Sequence, residues 1–303
     1  MNSQLSLFAR RKYDGVQPVQ SVELARPAGE QTVMQTLAAY HAYVRSVSES
    51  KYTPDDFYAD IKRLAVFLPG KPIKEITRQD LDQWIASLRS HLSAKTVNRK
   101  LAAVLHYFVW LEAEKVITEN PASEIRNRPV VSPLPDILFS SEHDRLLRVA
   151  SSTPRSYFLL LLLLSTGITR GELMSLKTTH FDFSNPYAPE VWIKHAGKKA
   201  KKDRVLKLPA EIRAVYTDYT ETGGITDLLF PYSDRFVRML LTDAAKAAGI
   251  SKRVNIQVIR DSYAAQLLRN GMPLDMVLSK LGLDPESADD AKEKYQRLSA
   301  RAI

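Results

Sequence analysis

Near the C-terminus the chain reads Asn255-Ile256-Gln257-Val258-Ile259-Arg260-Asp261-Ser262-Tyr263-Ala264-Ala265-Gln266-Leu267-Leu268-Arg269-Asn270-Gly271. Ile259, Tyr263 and Leu267 recur at helical spacing, which predicts one amphipathic helix. Asn270-Gly271 is a helix-ending signal, and Pro273 prevents the helix from continuing. Arg260 falls in the first turn at the edge of the apolar face, so the helix carries a cation beside its core.

The composition is that of a globular protein with a basic surface. The 303 residues are enough for two domains, and the 45% hydrophobic fraction predicts a genuine core. A net charge of +9 favours a polyanionic partner, with nucleic acid first among the candidates.

Several classes of site are excluded by residue usage. The chain has no cysteine, which rules out disulfides, thiol catalysis and thiolate metal sites. The six histidines lack ligand spacing, so we expect no metal and no cofactor. The longest apolar run, Tyr157 to Leu164, is far shorter than the roughly 20 residues that span a bilayer. We find no signal-peptide pattern, and we expect a cytoplasmic, nucleoid-associated protein without membrane contact.

The order of the segments predicts two domains and a mainly α fold with a small β-hairpin (α+β). Residues 1–30 lack periodicity and read as a mobile basic arm. Residues 31–126 read as a helical domain, and residues 127–138 carry three prolines, as expected of a stiff linker. Residues 139–303 form the second domain.

One helix of the first domain offers candidate phosphate contacts. Ser93 is placed to cap a long helix with an apolar stripe. Thr96, Asn98, Arg99 and Lys100 lie in its first turns, largely off that stripe. A helix N-terminus favours anions, so these four residues are candidates for DNA binding.

The second domain combines buried helices with a basic hairpin. The apolar run Tyr157 to Leu164 predicts a buried helix that ends at Gly167. Val191 to Lys194 and Arg204 to Pro209 read as two strands. The segment from Lys194 to Arg213 contains eight Lys/Arg residues and only two acidic residues, which predicts contact with DNA. The candidates there are Lys198, Lys201, Lys202 and Arg204.

These segments, in this order, resemble the tyrosine recombinase family of phage integrases and Xer-type recombinases. The resemblance covers about residues 31–298. The first domain is similar to the core-binding (SAM-like) domain of the family, through Leu92 to Leu101, Phe108 to Leu111 and Asn120-Pro121-Ala122. The C-terminal domain is similar to the catalytic domain of the family, through Thr166-Gly167-Ile168-Thr169-Arg170-Gly171-Glu172-Leu173, Gly197 to Arg204, Gln257 to Arg260, Leu281-Gly282-Leu283 and Tyr295.

The resemblance implies a chemistry that needs neither metal nor nucleotide. Tyr295 would attack a phosphodiester of double-stranded DNA and form a 3′-phosphotyrosine. Arg260 would offset the charge that develops on the phosphate, and Lys199, with Lys198 as a near alternative, would protonate the leaving 5′-oxygen.

Three catalytic positions depart from the family pattern. The first arginine position is Thr169, and Arg170 follows one residue late. The box histidine is Gln257, and the second histidine position is Leu283. The spacing from Leu283 to Tyr295 is also longer than usual. Losing a charge-stabilising donor typically costs about 100- to 1,000-fold in rate.

The N-terminal arm contains a further resemblance. Gln4, Leu5, Ser6, Leu7 and Phe8 match the peptide with which many bacterial proteins dock on the DNA polymerase sliding clamp. In such a peptide the Leu and Phe side chains would fill an apolar pocket.

Three functions remain open on the sequence. In the first, the chain is an active site-specific recombinase in which Arg170 or a partner subunit completes the active site. Alternatively, it is a catalytically inactive DNA-binding accessory, working with an active recombinase or as a homo-oligomer on DNA. Docking on the sliding clamp is compatible with either.

Overall fold

The computed structural model describes residues 27–48, 53–129, 133–195 and 202–300. The clamp-like residues Gln4 to Phe8 lie outside these ranges, as do the hairpin lysines Lys198, Lys199 and Lys201. The chain divides between Ser132 and Pro133 into two compact units. The predicted fold class, mainly helical with a small sheet, is confirmed.

The first unit is built from helices in its described part. They are α1 (Val33–Val47), α2 (Thr53–Phe67), α3 (Arg78–Arg89) and α4 (Ala94–Ala113), with a 3-10 turn at Ile73–Glu75. Ser93 caps α4, as predicted, and Thr77 caps α3, since their hydroxyls accept hydrogen bonds from the backbone amides of Thr96 and Asp80. Trp84, Tyr107 and Phe108 are buried between the helices and form much of the core.

The described part of the second unit holds eight further helices and three strands. The helices are α5 (Ser140–Ala150), α6 (Pro154–Thr166), α7 (Arg170–Ser175), α8 (Ile212–Gly223), α9 (Asp234–Ala247), α10 (Ile256–Arg269), α11 (Leu274–Lys280) and α12 (Asp289–Ser299). The strands are β1 (Phe181–Asp182), β2 (Glu190–Ile193) and β3 (Arg204–Lys207).

The predicted hairpin is the larger part of an antiparallel sheet in the order β1-β2-β3. Val191 pairs with Leu206 and both are buried, whereas the next pair, Trp192 and Val205, is exposed. This alternation follows from the two-residue period of a strand. The two-residue strand β1 was not predicted, because so short a segment has no readable periodicity.

Helix α6 is the centre of the second core. Its side chains from Phe158 to Leu164 are all buried, as the unbroken apolar run predicts. The helix ends at Gly167, whose φ of 58° is left-handed. A Cβ at this glycine would lie 2.5 Å from a ring carbon of Tyr263, so the position excludes a side chain.

The last three helices share a separate apolar cluster. Ala264 and Ala265 of α10 pack with Val277 and Leu278 of α11 and with Leu298 of α12. The same cluster contains Ile137, so this residue of the predicted linker belongs to the second unit. In the ranges given above, no helix has the length and apolar character needed to cross a bilayer.

Candidate active site

Arg260 joins the ends of two other helices to α10. The Asn255 side chain accepts the Val258 amide and starts α10, which sets Arg260 in the first turn. Its Nη1 donates to the Gly167 carbonyl at 2.6 Å, and its Nη2 donates to the Leu281 carbonyl at 2.6 Å. These carbonyls lie at the C-terminal ends of α6 and α11. The helix dipoles carry partial negative charge there, which stabilises the positive guanidinium.

The Arg260 side chain lies inside the fold rather than at the edge of the apolar face. The residue is 5% exposed. Burial lowers the pKa of its guanidinium, while the nearby Tyr295 and Glu172 act in the opposite direction. The site therefore keeps a cation in a place from which water is largely excluded.

A single carboxylate oxygen, next to Arg260 in the chain, accepts hydrogen bonds from three side chains. Asp261 Oδ1 accepts from Gln257 Nε2 at 2.9 Å, from Lys294 Nζ at 2.7 Å and from the Tyr295 hydroxyl at 3.0 Å. Asp261 is 1% exposed. Because Gln257 and Asp261 are four residues apart, they lie on the same face of α10.

Tyr295 lies in this cluster although its spacing from Leu283 is longer than is usual in the family. A turn at Asp284 to Ser287 accommodates the extra residues of this spacing before α12 begins. The Asp284 carboxylate closes the turn by accepting hydrogen bonds from the Glu286 amide and the Ser287 hydroxyl. Tyr295 is 1% exposed. Burial and the negative charge of Asp261 raise the pKa of its phenol, and Arg260 opposes this. The predicted nucleophile thus lies near the predicted arginine, with its proton firmly held.

A second ionic network lies next to the first. The Arg204 guanidinium binds both carboxylate oxygens of Glu172, at 2.7 and 3.2 Å, and its Nε donates to the Lys280 carbonyl. His195 Nε2 lies 3.3 Å from Glu172 Oε1. The Arg204 side chain is only 9% exposed. Its guanidinium is committed to these partners, so the geometry does not favour the predicted DNA contact of Arg204.

The two residues at the first arginine position serve other purposes. Thr169 caps α7 by accepting the Glu172 amide. Arg170 is half exposed and pairs with Asp234 of α9 at 3.2 Å. The guanidinium of Arg170 is therefore directed to Asp234 of α9.

The two substituted histidine positions differ from each other. Gln257 binds Asp261, as described above. Leu283 packs, partly buried, against the apolar cluster of α10, α11 and α12. Neither side chain can exchange a proton near neutral pH.

Buried Asp60 of α2 organises the cations of the first unit. Its carboxylate lies 2.6 Å from Lys100 Nζ, 2.8 Å from Arg63 Nη1 and 2.9 Å from Arg99 Nη1. Asp60 is fully buried and Lys100 is 5% exposed, whereas the side chains of Arg63 and Arg99 are about half exposed. The expectation that Lys100 lies off the apolar stripe is therefore wrong: Lys100 falls three residues after Val97 and four before Val104, on the buried face of α4, where the carboxylate of Asp60 pairs with it.

The other candidates of the first unit, Asn98 and Thr96, have partners within that unit. The Asn98 side chain exchanges two hydrogen bonds with the backbone of Arg128. The Thr96 hydroxyl is 2.9 Å from that of Ser93. Lys202 of the hairpin is exposed.

Sequence reasoning missed Asp261, Lys294 and Arg63. Asp261 directly follows Arg260, and Lys294 directly precedes Tyr295, so adjacency to the motif residues was the available signal. Arg63 had no signal, because its importance depends on Asp60 and on the distant Arg99. Among the described residues, no group of side chains could hold a metal ion.

The chain is similar to known proteins over both of its units. Residues 137–285 match the profile of the phage integrase family, and residues 37–115 match its N-terminal SAM-like domain. A tyrosine recombinase of Pseudothermotoga lettingae is 26% identical over 261 residues, which cover 82% of this chain and 89% of that protein.

Two solved structures share the fold. XerH site-specific recombinase, bound to palindromic difH substrate in a post-cleavage complex, has a TM-score of 0.71 at 17% identity and covers 89% of this chain and 82% of that one. A lambda integrase dimer bound to a COC′ core site has a TM-score of 0.70 at 18% identity, covering 100% and 83%. Since the two profiles together match most of the chain, in the order of its two units, this protein belongs to the phage integrase family of tyrosine recombinases.

Proposed function

We propose that this protein binds double-stranded DNA and does not break it unaided. The observation that carries the proposal is the contact of the Tyr295 hydroxyl with Asp261, inside a site that lacks three of the charged or proton-transferring groups of its family. The protein acts as an accessory of recombination, alongside an active recombinase or another copy of itself on DNA.

DNA binding is supported by the cations around Asp60. Three of them share one carboxylate, which leaves a surplus of two positive charges. Arg63 and Arg99 are half exposed, so each can offer its remaining N–H groups to a phosphate. The overall charge of +9 acts in the same direction, and DNA binding would bring the protein to the nucleoid. The hairpin residues Lys198, Lys201 and Lys202 remain predicted contacts.

The proposed lack of unaided cleavage rests on the charges and proton transfers that the reaction requires. The bond between Tyr295 Oη and phosphorus must form as the P–O5′ bond breaks; the phenol loses its proton, and the leaving oxygen gains one. Thr169 brings no charge to the phosphate, and Gln257 and Leu283 move no proton. Each such loss costs about 100-fold or more in rate, so the remaining Arg260 does not suffice alone.

The second candidate is an active recombinase, favoured by the nearness of Tyr295 to Arg260. In that function Lys199 protonates the leaving oxygen, and a neighbouring subunit supplies the missing groups. Among relatives of the same fold, lambda integrase is known as a tetramer bound to a Holliday junction.

The experiment that separates the two uses a nicked duplex. A binding site is first selected from random duplexes, and the nick traps any 3′-phosphotyrosine. We expect binding that weakens steeply with salt, because counterions are released from phosphates, and no covalent adduct with the protein alone. Tyr295→Phe is the matched control. An adduct formed by the wild type and lost in this variant would establish the active recombinase, and absence of DNA binding would refute both functions.

We further propose that Gln4 to Phe8 dock on the bacterial sliding clamp, on the strength of their five-position match. Replacing Leu7 and Phe8 by alanine should abolish binding of the full chain to the purified clamp, because these two side chains supply the apolar contact. The control exchanges Val22 and Leu24 of the same arm for alanine. Equal affinity of all three proteins for the clamp would exclude the docking.

A further inference from the structure

Asp261 is the one acidic side chain that contacts Tyr295 in the described part of the site. We propose that Asp261 is a positioning residue that holds Tyr295 in an inward, protonated state, and that Tyr295 can meet a DNA phosphate only when this contact breaks. The inference rests on the proposed function, since it treats Tyr295 as the residue in the nucleophile position. It assigns a role to a position that no motif of the chain includes.

The geometry makes the contact a restraint on the whole of α12. Asp261 belongs to α10 and Tyr295 to α12, and Lys294 of α12 binds the same oxygen. Two adjacent residues of α12 are thereby tied to one atom of α10. Asp261 is 1% exposed, so water does not compete with these donors. A tyrosine that moves toward DNA must leave both hydrogen bonds together.

The charges facing Tyr295 explain why the contact also retains the proton. Asp261 is the anion, whereas Lys294 and Arg260 are the cations. The carboxylate accepts the phenolic hydrogen, which stabilises the neutral phenol and opposes the phenolate. Burial acts in the same direction, and Arg260 opposes it. Gln257 donates to Asp261 but adds no charge, so it fixes the carboxylate without weakening this effect.

The carboxylate also opposes the approach of a phosphate. A phosphate that reaches the Tyr295 hydroxyl comes close to Asp261, and two anions in a buried site repel each other strongly. Arg260 offsets part of this repulsion, while its Nη1 and Nη2 each also donate to a carbonyl. Asp261 therefore acts against cleavage in two ways: it holds the nucleophile and it disfavours the substrate.

The first test titrates the Tyr295 phenol in the full chain by NMR of ¹³C-labelled tyrosine, with Tyr295→Phe to assign the signal. In Asp261→Asn we expect the pKa to fall toward the ordinary phenol value of about 10, since the charge is lost and the shape is kept. Glu142→Gln is the matched control, because Glu142 is another buried carboxylate paired with a lysine. An unchanged Tyr295 titration in folded Asp261→Asn would overturn the proposal.

The second test measures nitration of Tyr295 by tetranitromethane with mass spectrometry, which reports phenolate and access together. Asp261→Asn should be nitrated faster, by about tenfold for each unit that the pKa falls. If Asp261→Asn proves unfolded, Asp261→Ser, which also removes the charge, takes its place. Nitration as slow as in the wild type in a folded variant without the Asp261 charge would contradict the proposal.

Neither test requires DNA, which separates the two hypotheses. If the wild type forms an adduct unaided, the proposed function fails, whatever the titration shows. If Tyr295 titrates alike with and without the Asp261 charge, the restraint is refuted, and DNA binding without cleavage still stands on the nicked duplex.

Discussion

Arg204→Ala is expected to destabilise the second unit by about 3–5 kcal/mol, because it leaves a buried carboxylate without its partner. Glu172 is 7% exposed and accepts two hydrogen bonds from Arg204. The same guanidinium binds the Lys280 carbonyl, and a Cβ at Gly282 would lie 2.5 Å from its Nη1. The side chain is thus enclosed on all these sides, and alanine cannot replace any of the contacts.

The pH dependence gives this prediction a sign. Burial alone would raise the pKa of Glu172, but the hydrogen bonds and charge of Arg204 bring it below its ordinary value of 4.5. In the wild type the pair therefore contributes stability above pH 4.5, and this is lost as the pH falls through the lowered pKa. In Arg204→Ala the hydrogen bond from the Thr169 amide remains, but the charge and hydrogen bonds of Arg204 are lost, so the pKa of Glu172 should rise, and the loss of stability should be largest at neutral pH and shrink in acid.

Urea-dependent hydrogen exchange with mass spectrometry measures this effect, because it reports the two units separately. Arg213→Ala is a suitable control, since Arg213 is exposed on α8 and should change stability by no more than about 0.5 kcal/mol. Equal stability of Arg204→Ala and Arg213→Ala would show that the Glu172 pair contributes nothing.

Asp60→Ala is expected to have a similar effect on the first unit, about 3–5 kcal/mol. Lys100 would stay buried without a counter-charge, next to Arg63 and Arg99. The double variant with Lys100→Met should recover part of the loss, because the orphaned charge is removed as well. The same hydrogen-exchange experiment, read in the peptides of α2 and α4, measures it.

Arg63→Ala distinguishes stability from DNA binding at this cluster. The Arg63 side chain is 57% exposed, so its pair with Asp60 should contribute at most about 1 kcal/mol. Its loss should nevertheless weaken DNA binding and flatten the salt dependence, as expected for one phosphate contact fewer. Arg45→Ala, an exposed arginine of the same unit paired with exposed Asp55, should leave DNA affinity unchanged. A smaller loss of stability in Asp60→Ala than in Arg63→Ala would contradict the burial argument.

Elements governed by neighbouring residues were predictable. The caps at Thr77 and Ser93, the end of α6 at Gly167 and the hairpin of β2 and β3 all depend on signals within a few residues. Helical periodicity likewise predicted α10 close to its observed bounds. Burial of polar side chains was not predictable in this way: Lys100 lies on the buried face of α4, and the carboxylate that pairs with it there belongs to Asp60, 40 residues earlier.

By itself, the sequence determined the family, the helical fold and the departure of Thr169, Gln257 and Leu283 from the family pattern, since these depend on residue types in a fixed order. Only the tertiary structure decided what the remaining site residues do. Arg260 meets Gly167 across 93 residues, and Tyr295 meets Asp261 across 34. Such contacts arise when the helix ends and the faces of α10, α11 and α12 pack together, and no local pattern records which side chain will then lie beside which. Arg260 and Tyr295 could be identified from the sequence, whereas the contact of the Asp261 carboxylate with Tyr295 could not.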